Sequence, residues 1–231
     1  MIVMISFRPT PKILGETVGE QLDNGNEFVV VRDAGFMHNS DIRQFAREAT
    51  EQLGQLSLSG SGVDQTDVWS LDEAKSKPSR VDYHTDNPHY PSPERYVGFW
   101  CVSSANDGAN VLLNSADFLE ELHKNDKELA ELVVKKPVEF RYGDTQYTGT
   151  IFSPEDGQLR LGRYATHEDD KLLIERVSAI IDREGSATTR KIQLSPGDVM
   201  FFNNHKLLHG REPYRRERSS TPRLMLRTRV I

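Results

Sequence analysis

His84 and Asp86 stand two apart in Tyr83-His84-Thr85-Asp86-Asn87-Pro88, and His209 follows 123 residues after Asp86 within Asn203-Asn204-His205-Lys206-Leu207-Leu208-His209-Gly210-Arg211. Two imidazoles and one carboxylate would cover one face of a metal ion and leave the other face open. Non-haem Fe(II) oxygenases use that arrangement, with water, a chelating cosubstrate and O2 in the remaining positions. Residues i and i+2 of an extended strand point to one side, so His84 and Asp86 are expected to face one ion together while Thr85 turns away. His209 must come from elsewhere in the fold, and the strand–turn–strand at 191–202 can deliver it. A lone His-x-Asp is a short motif that arises often by chance, so its weight depends on the rest of the chain.

Other spacings compete with this one. His205 and His209 are four apart, which on a helix would suggest zinc. Lys206 stands where the hydrolytic motif has glutamate, and the segment follows a strand and a turn, so His205 is placed at the site rim or in a structural role. His89, three residues beyond Asp86, is a candidate metal or substrate contact, or an ordinary loop residue. His38, His123 and His167 carry no signal. Cys101, the only cysteine, sits in Val97-Gly98-Phe99-Trp100-Cys101-Val102 and reads as a buried small hydrophobe.

Arg223 lies fourteen residues after His209, and Arg227 four further on. In a strand, Arg223, Met225, Arg227 and Arg229 share one face and Leu224, Leu226, Thr228 and Val230 the other. An arginine fork matches a carboxylate through two hydrogen bonds. Charge pattern alone favours a plainer outcome, a solvated edge strand with the basic tail Arg215-Arg216-Glu217-Arg218.

These residues must be carried by some scaffold. Strands are expected at 27–32, 81–84, 96–102, 190–194, 199–202 and 223–231, with a hairpin at 138–142 and 146–152 around Gly143-Asp144. Helices are expected after Ser40 and Ser115 as N-caps, at 126–133, and at 167–184 with Leu172, Leu173, Val177, Ile180 and Ile181 on one face and Gly185 as the stop. Residues 57–62 read as a flexible loop. Helices do not alternate one-for-one with strands, which disfavours a doubly wound sheet. The pattern suits a mainly β fold with flanking helices around a double-stranded β-helix (jelly roll) core. The length of 231 residues suits one domain, with residues 1–80 packed on that core.

A net charge of -6 argues against nucleic acid as the main partner. No apolar run approaches a membrane span, and the N-terminus lacks a basic leader and a cleavage site. A small-molecule substrate and a reducing cytoplasm are therefore expected, the latter also from the single cysteine.

Three segments together resemble the clavaminate synthase/taurine dioxygenase-like family of Fe(II)- and 2-oxoglutarate-dependent oxygenases, over residues 80–231. They are His84-Thr85-Asp86-Asn87; Gly108-Ala109-Asn110-Val111-Leu112-Leu113-Asn114-Ser115-Ala116-Asp117-Phe118-Leu119; and Gly197-Asp198-Val199-Met200-Phe201-Phe202-Asn203-Asn204 followed by His209-Gly210-Arg211-Glu212-Pro213-Tyr214 and Arg223-Leu224-Met225-Leu226-Arg227. The last segment resembles the amino-acid hydroxylase branch. The resemblance implies that His84, Asp86 and His209 bind iron, that Arg223 grips the distal carboxylate of 2-oxoglutarate, and that Arg227 lies near a substrate carboxylate. It also implies a reaction in which 2-oxoglutarate and O2 yield succinate and CO2 while an unactivated C–H is hydroxylated. Asp86, a carboxylate rather than a small residue, favours hydroxylation over halogenation. The family's cosubstrate-binding threonine aligns with Val111, which transfers that anchoring to Arg223 or to a hydroxyl such as Ser103. Trp69, Asp82 and His89, beside the metal motif, are candidate substrate contacts along with Arg227. A nucleic-acid demethylase and a non-catalytic binding module are the rival functions.

Overall fold

Runs that lack polar positions should be covered on both faces, and Tyr96 to Cys101 is such a run: it is buried throughout. A computed structural model of the chain describes residues 2–4, 9–58, 67–72, 80–104, 107–182, 189–213 and 223–231. The basic tail at 215–218, the Gly185 stop, Tyr214 and the loop from 59 to 62 lie outside them. Twelve strands are described: β1 Ile2–Met4, β2 Phe28–Arg32, β3 Val68–Asp72, β4 Val81–His84, β5 Tyr96–Ser103, β6 Asn110–Asn114, β7 Val138–Tyr142, β8 Thr145–Gly149, β9 Arg190–Ile192, β10 Val199–Asn203, β11 Leu207–Arg211 and β12 Leu224–Val230. The helices are α1 Pro11–Asp23, α2 Ile42–Glu51, α3 Ser115–Asn125, α4 Lys127–Lys135 and α5 Glu168–Ile181.

One sheet has the order β1-β2-β10-β5-β12-β3 and the other β4-β11-β6-β9, while β7 and β8 form a separate hairpin. The two larger sheets face each other. Val30, Phe99, Met200 and Met225 of the first pack with Leu112, Ile192 and Leu207 of the second. The first sheet's outer face is covered by Leu14, Val18, Phe45 and Ala49 of α1 and α2, against Val29, Trp100 and Leu226. Val111, Leu113 and Leu208 on the second sheet's outer face pack under Phe118, Leu129, Val133 and Val177. The mainly β architecture with flanking helices matches the expectation.

Alternation along β12 decides which arginines can do chemistry. Met225 points between the sheets and Leu226 towards the helices, so Arg227 and Arg229 share the inner side with Met225. The solvated edge strand expected from charge is overturned: β12 lies between β5 and β3, and Arg223 and Arg229 are buried. Two helix caps move by one residue. Asp41, not Ser40, accepts from the amides of Arg43 and Gln44, and Asn114, not Ser115, accepts from that of Asp117. Leu172, expected on the packed face of α5, is 56% exposed, and Ile174 takes its place. The helix at α1 and the strands β1, β3 and β11 are further elements that pattern did not announce.

Cys101 is fully buried, and burial pushes its thiol up to about 12. Because the thiolate is the nucleophile, iodoacetamide at pH 8 is expected to leave the native protein unmodified and to alkylate it once unfolded. Mass spectrometry of the two samples checks this.

Candidate metal centre

The site begins with register. β11 pairs antiparallel with β4 so that His209 sits directly opposite His84, their rings 4.2 Å apart. That approach requires a glycine beside His209. A Cβ on Gly210 would come within 2.6 Å of the Val81 carbonyl oxygen, so the strands could not close with a larger residue there. β4 ends at His84. Asp86 therefore joins the site from the loop beyond the strand rather than by strict alternation. Its main chain is pinned there: Asn204 accepts from the Asp86 amide at 2.8 Å and donates to its carbonyl at 3.1 Å. Thr85 turns away, as expected, to bond the main chain of Leu161.

Asp86 Oδ1 lies 3.8 Å from His84 Nε2 and 3.7 Å from His209 Nε2. One ligating atom from each of the three residues falls within 4.8 Å of the others, and this is the only such cluster of His, Cys, Asp and Glu among the described residues. These separations exceed hydrogen-bond length, so the three groups are not bonded to one another and are close enough to share one ion. The donor set fits a divalent ion. The second nitrogen of His84 faces the Asp82 carbonyl at 2.9 Å, which holds the proton on Nδ1 and frees Nε2. Phe99 and Phe202 pack against the His209 ring and keep water from it.

Charge suits the same purpose. Burial lowers the pKa of both imidazoles, most strongly at His209, where the His84 ring adds to the effect. Both are therefore neutral near pH 7, the form that donates to a metal. Burial alone would raise the pKa of Asp86. The Arg227 and Arg229 guanidiniums outweigh it and hold the carboxyl well below its usual range. Arg227 Nη1 lies 3.4 and 3.3 Å from the two oxygens, and Arg229 Nε 3.0 Å from Oδ2.

The remaining expected residues divide. Arg223 donates to Asn110 Oδ1 at 2.9 Å between the sheets. Ser103 ends β5 beyond a register shift in its pairing with β12, opposite Leu224, so the alternation that turns Cys101 inward does not carry on to it. Trp69 is paired directly with Arg227 and lies on the same inner side. Asp82 is on β4 and ion-paired to Arg163, where with His84, Arg80, Tyr164 and Ile174 it lines a cavity of about 300 Å³. His89 is not a member of the ligating cluster; it is buried among Tyr90, Tyr142 and Tyr164. His205 occupies a turn, its Nε2 facing the Pro93 carbonyl at 3.0 Å, and His209 is on a strand, so the helical zinc reading has no helix.

Val111 requires a correction. It packs under the helices on the sheet's outer face, away from the side that carries His84, His209 and Asn110. Asn110, one residue earlier, faces the inner side opposite Arg211 and bonds Arg223. A single polar residue opening the otherwise apolar run Val111-Leu112-Leu113 was the signal for it. Val111→Thr is expected to leave the KM for 2-oxoglutarate unchanged. It should cost about 1–3 kcal/mol of stability by placing a hydroxyl in an apolar cluster. Steady-state kinetics and a urea melt measure the two effects. Asn204 and Glu94 were also missed, because an asparagine in a turn and a glutamate just after a proline-rich loop carry no spacing signal.

Two facing sheets enclose two histidines, one carboxylate and buried arginines, the set of side chains that non-haem Fe(II) oxygenases use. The family model for taurine catabolism dioxygenases (TauD, TfdA family) matches residues 9–229, and the chain belongs to that family. Uridine-5'-phosphate dioxygenase of an Amycolatopsis species is 28% identical over 131 residues, 50% of this chain and 48% of that protein. Enduracididine beta-hydroxylase of Streptomyces hygroscopicus is 33% identical over 63 residues, 27% and 17% of the two chains. The chain spans less than half the length of the curated relatives it matches. A crystal structure of asparagine oxygenase with Fe(II), 2S,3S-3-hydroxyasparagine and succinate aligns at a TM-score of 0.73 and 15% identity, over 96% of this chain and 80% of that one, a likeness of fold. No helix among the described residues is long and apolar enough to cross a membrane.

Proposed function

We propose that the chain is an Fe(II)- and 2-oxoglutarate-dependent dioxygenase that hydroxylates an unactivated C–H of a small molecule, a free amino acid or related carboxylate. The observation that carries it is the convergence of His84, Asp86 and His209, with Arg223 buried and bonded to Asn110 between the same two sheets. The reading treats the two facing sheets as a double-stranded β-helix and residues 1–231 as one oxygenase domain. Iron and 2-oxoglutarate supply the oxidising chemistry when bound, with O2 consumed and succinate and CO2 released. The protein's part is to bind, orient and shield. His84 and His209 give neutral imidazoles, Asp86 gives a carboxylate whose position Asn204 holds, and Arg223 with Asn110 offers a cationic seat for the distal carboxylate of 2-oxoglutarate.

Substrate is assigned to the cavity at His84. Asp82, Arg163 and Tyr164 give it both signs of charge and an aromatic wall, a lining suited to a zwitterion. Arg227 and Trp69, paired across β3 and β12 on the inner side, are assigned to the same substrate, and His89 backs Tyr164. The asparagine oxygenase and the enduracididine hydroxylase support an amino-acid substrate by likeness. The net charge of -6 counts against a nucleic-acid demethylase. The test is succinate release with Fe(II) and 2-oxoglutarate across the amino acids and their derivatives. Release stimulated by one of them is expected; no stimulation by any would overturn the substrate class.

A further inference from the structure

We propose that Arg229 is a positioning residue for the ligating carboxylate, holding Oδ2 of Asp86 so that only Oδ1 is presented to the metal. The inference rests on the metal-centre reading above. Oδ1 is the oxygen that faces both histidines, at 3.8 and 3.7 Å. Oδ2 is the one that Arg229 Nε engages at 3.0 Å. Arg227 does not make this distinction, since its Nη1 lies at 3.4 and 3.3 Å from the two oxygens. A carboxylate that binds through one oxygen occupies one coordination position rather than two. Facial ligation by three residues depends on that economy, because the opposite positions must admit a two-point chelator and a third molecule.

Arg229 is itself held. Glu94 Oε1 lies 3.8 Å from Arg229 Nη1. Glu94 is 1% exposed and accepts from Asn87 Nδ2 at 2.8 and 2.9 Å and from Ser57 Oγ at 2.8 Å. Asn87, the residue after Asp86, takes φ 50, a left-handed conformation that asparagine tolerates. Asn204 closes the circuit through the main chain, since its Nδ2 donates to the carbonyls of both Asp86 and Glu94. The carboxylates of Asp86 and Glu94 are thus tied to each other twice, by Asn204 through the backbone and by Arg229 through their side chains. A buried cation between two buried anions has no solvent to fall back on, so its geometry is set by these partners.

The test is Co(II) titration of the metal-free protein, read by visible absorption, in wild type, in the double variant Arg229→Met with Glu94→Gln, and in Arg229→Lys. The double variant removes both charges together and leaves no buried ion unpaired, with the Asn87 and Ser57 bonds still possible. It is expected to bind Co(II) roughly 10- to 100-fold more weakly, the usual cost of losing an outer partner of a metal ligand. The ligand-field bands should change in intensity as Asp86 turns to bind through both oxygens. Arg229→Lys keeps the charge beside Glu94 but not the Nε–H, and is expected to show the band change. Wild-type affinity and wild-type bands in both variants overturn the inference, as do wild-type bands in Arg229→Lys alone where the double variant does not fold. Wild type that fails to bind Co(II) overturns the metal-centre reading itself, a different result from wild type that binds while the variants match it.

Discussion

His209→Ala is expected to abolish metal loading and succinate release together. Among the described residues three ligating side chains converge on the site, so removal of one leaves a bent pair, His84 and Asp86, that water outcompetes. Loss of an outer partner alone weakens metal sites roughly 10- to 100-fold, and deletion of a ligand should exceed ~100-fold. The imidazole is also buried against Phe99 and Phe202, so truncation leaves a cavity that should cost ~2 kcal/mol or more. Circular dichroism separates the two effects: the variant should keep its fold and melt earlier. Fe(II) retained after dialysis, or succinate released at the wild-type rate, would remove His209 from the site.

The second large effect is at Arg223. Its guanidinium is buried between the sheets and bonds Asn110. Truncating one partner of a buried, hydrogen-bonded charge pair costs about 2–5 kcal/mol, which for Arg223→Met corresponds to a rise in the KM for 2-oxoglutarate of roughly 30- to 5,000-fold. Arg223→Lys should recover part of that loss, since an ammonium keeps the charge but not the two-point fork. Co(II) affinity measured without 2-oxoglutarate should be unchanged in both. That split distinguishes a cosubstrate anchor from a general support of the fold. An unaltered KM in Arg223→Met would place the distal carboxylate elsewhere.

Much of this centre was legible in residue types and spacing. The two-histidine, one-carboxylate set was readable because few combinations of side chains leave half a coordination sphere open. The shared face of Met225, Arg227 and Arg229 followed from strand alternation, which is a local property. What alternation could not supply was the frame. It says that Asn110 and Val111 face opposite ways, but not which way is inward; that depends on how β6 lies against β11, a contact between residues a hundred positions apart. Charge pattern misjudged β12 for a related reason. Arg227 and Arg229 read as solvated because the carboxylate that balances them, Asp86, is remote in the chain. Asp86 itself was assigned to a strand face, whereas a turn held by Asn204 places it. The caps missed by one residue because serine and its neighbours Asp41 and Asn114 are all competent N-caps, and only the chain's entry angle chooses between them.

β10 and β11 are joined by a short turn yet belong to different sheets, and His209 lies just past that crossing. An ion held by His209 on one side and by the His84–Asp86 segment on the other is therefore a cross-link. It closes a loop of more than a hundred residues that the unfolded chain leaves open. Because the unfolded chain does not assemble this face, the ion belongs to the native state alone, and stability becomes a function of metal activity. At free metal a hundredfold above the dissociation constant, the gain is about 2.7 kcal/mol. A melting temperature for this protein thus has meaning only alongside the concentration of free divalent ion at which it was taken.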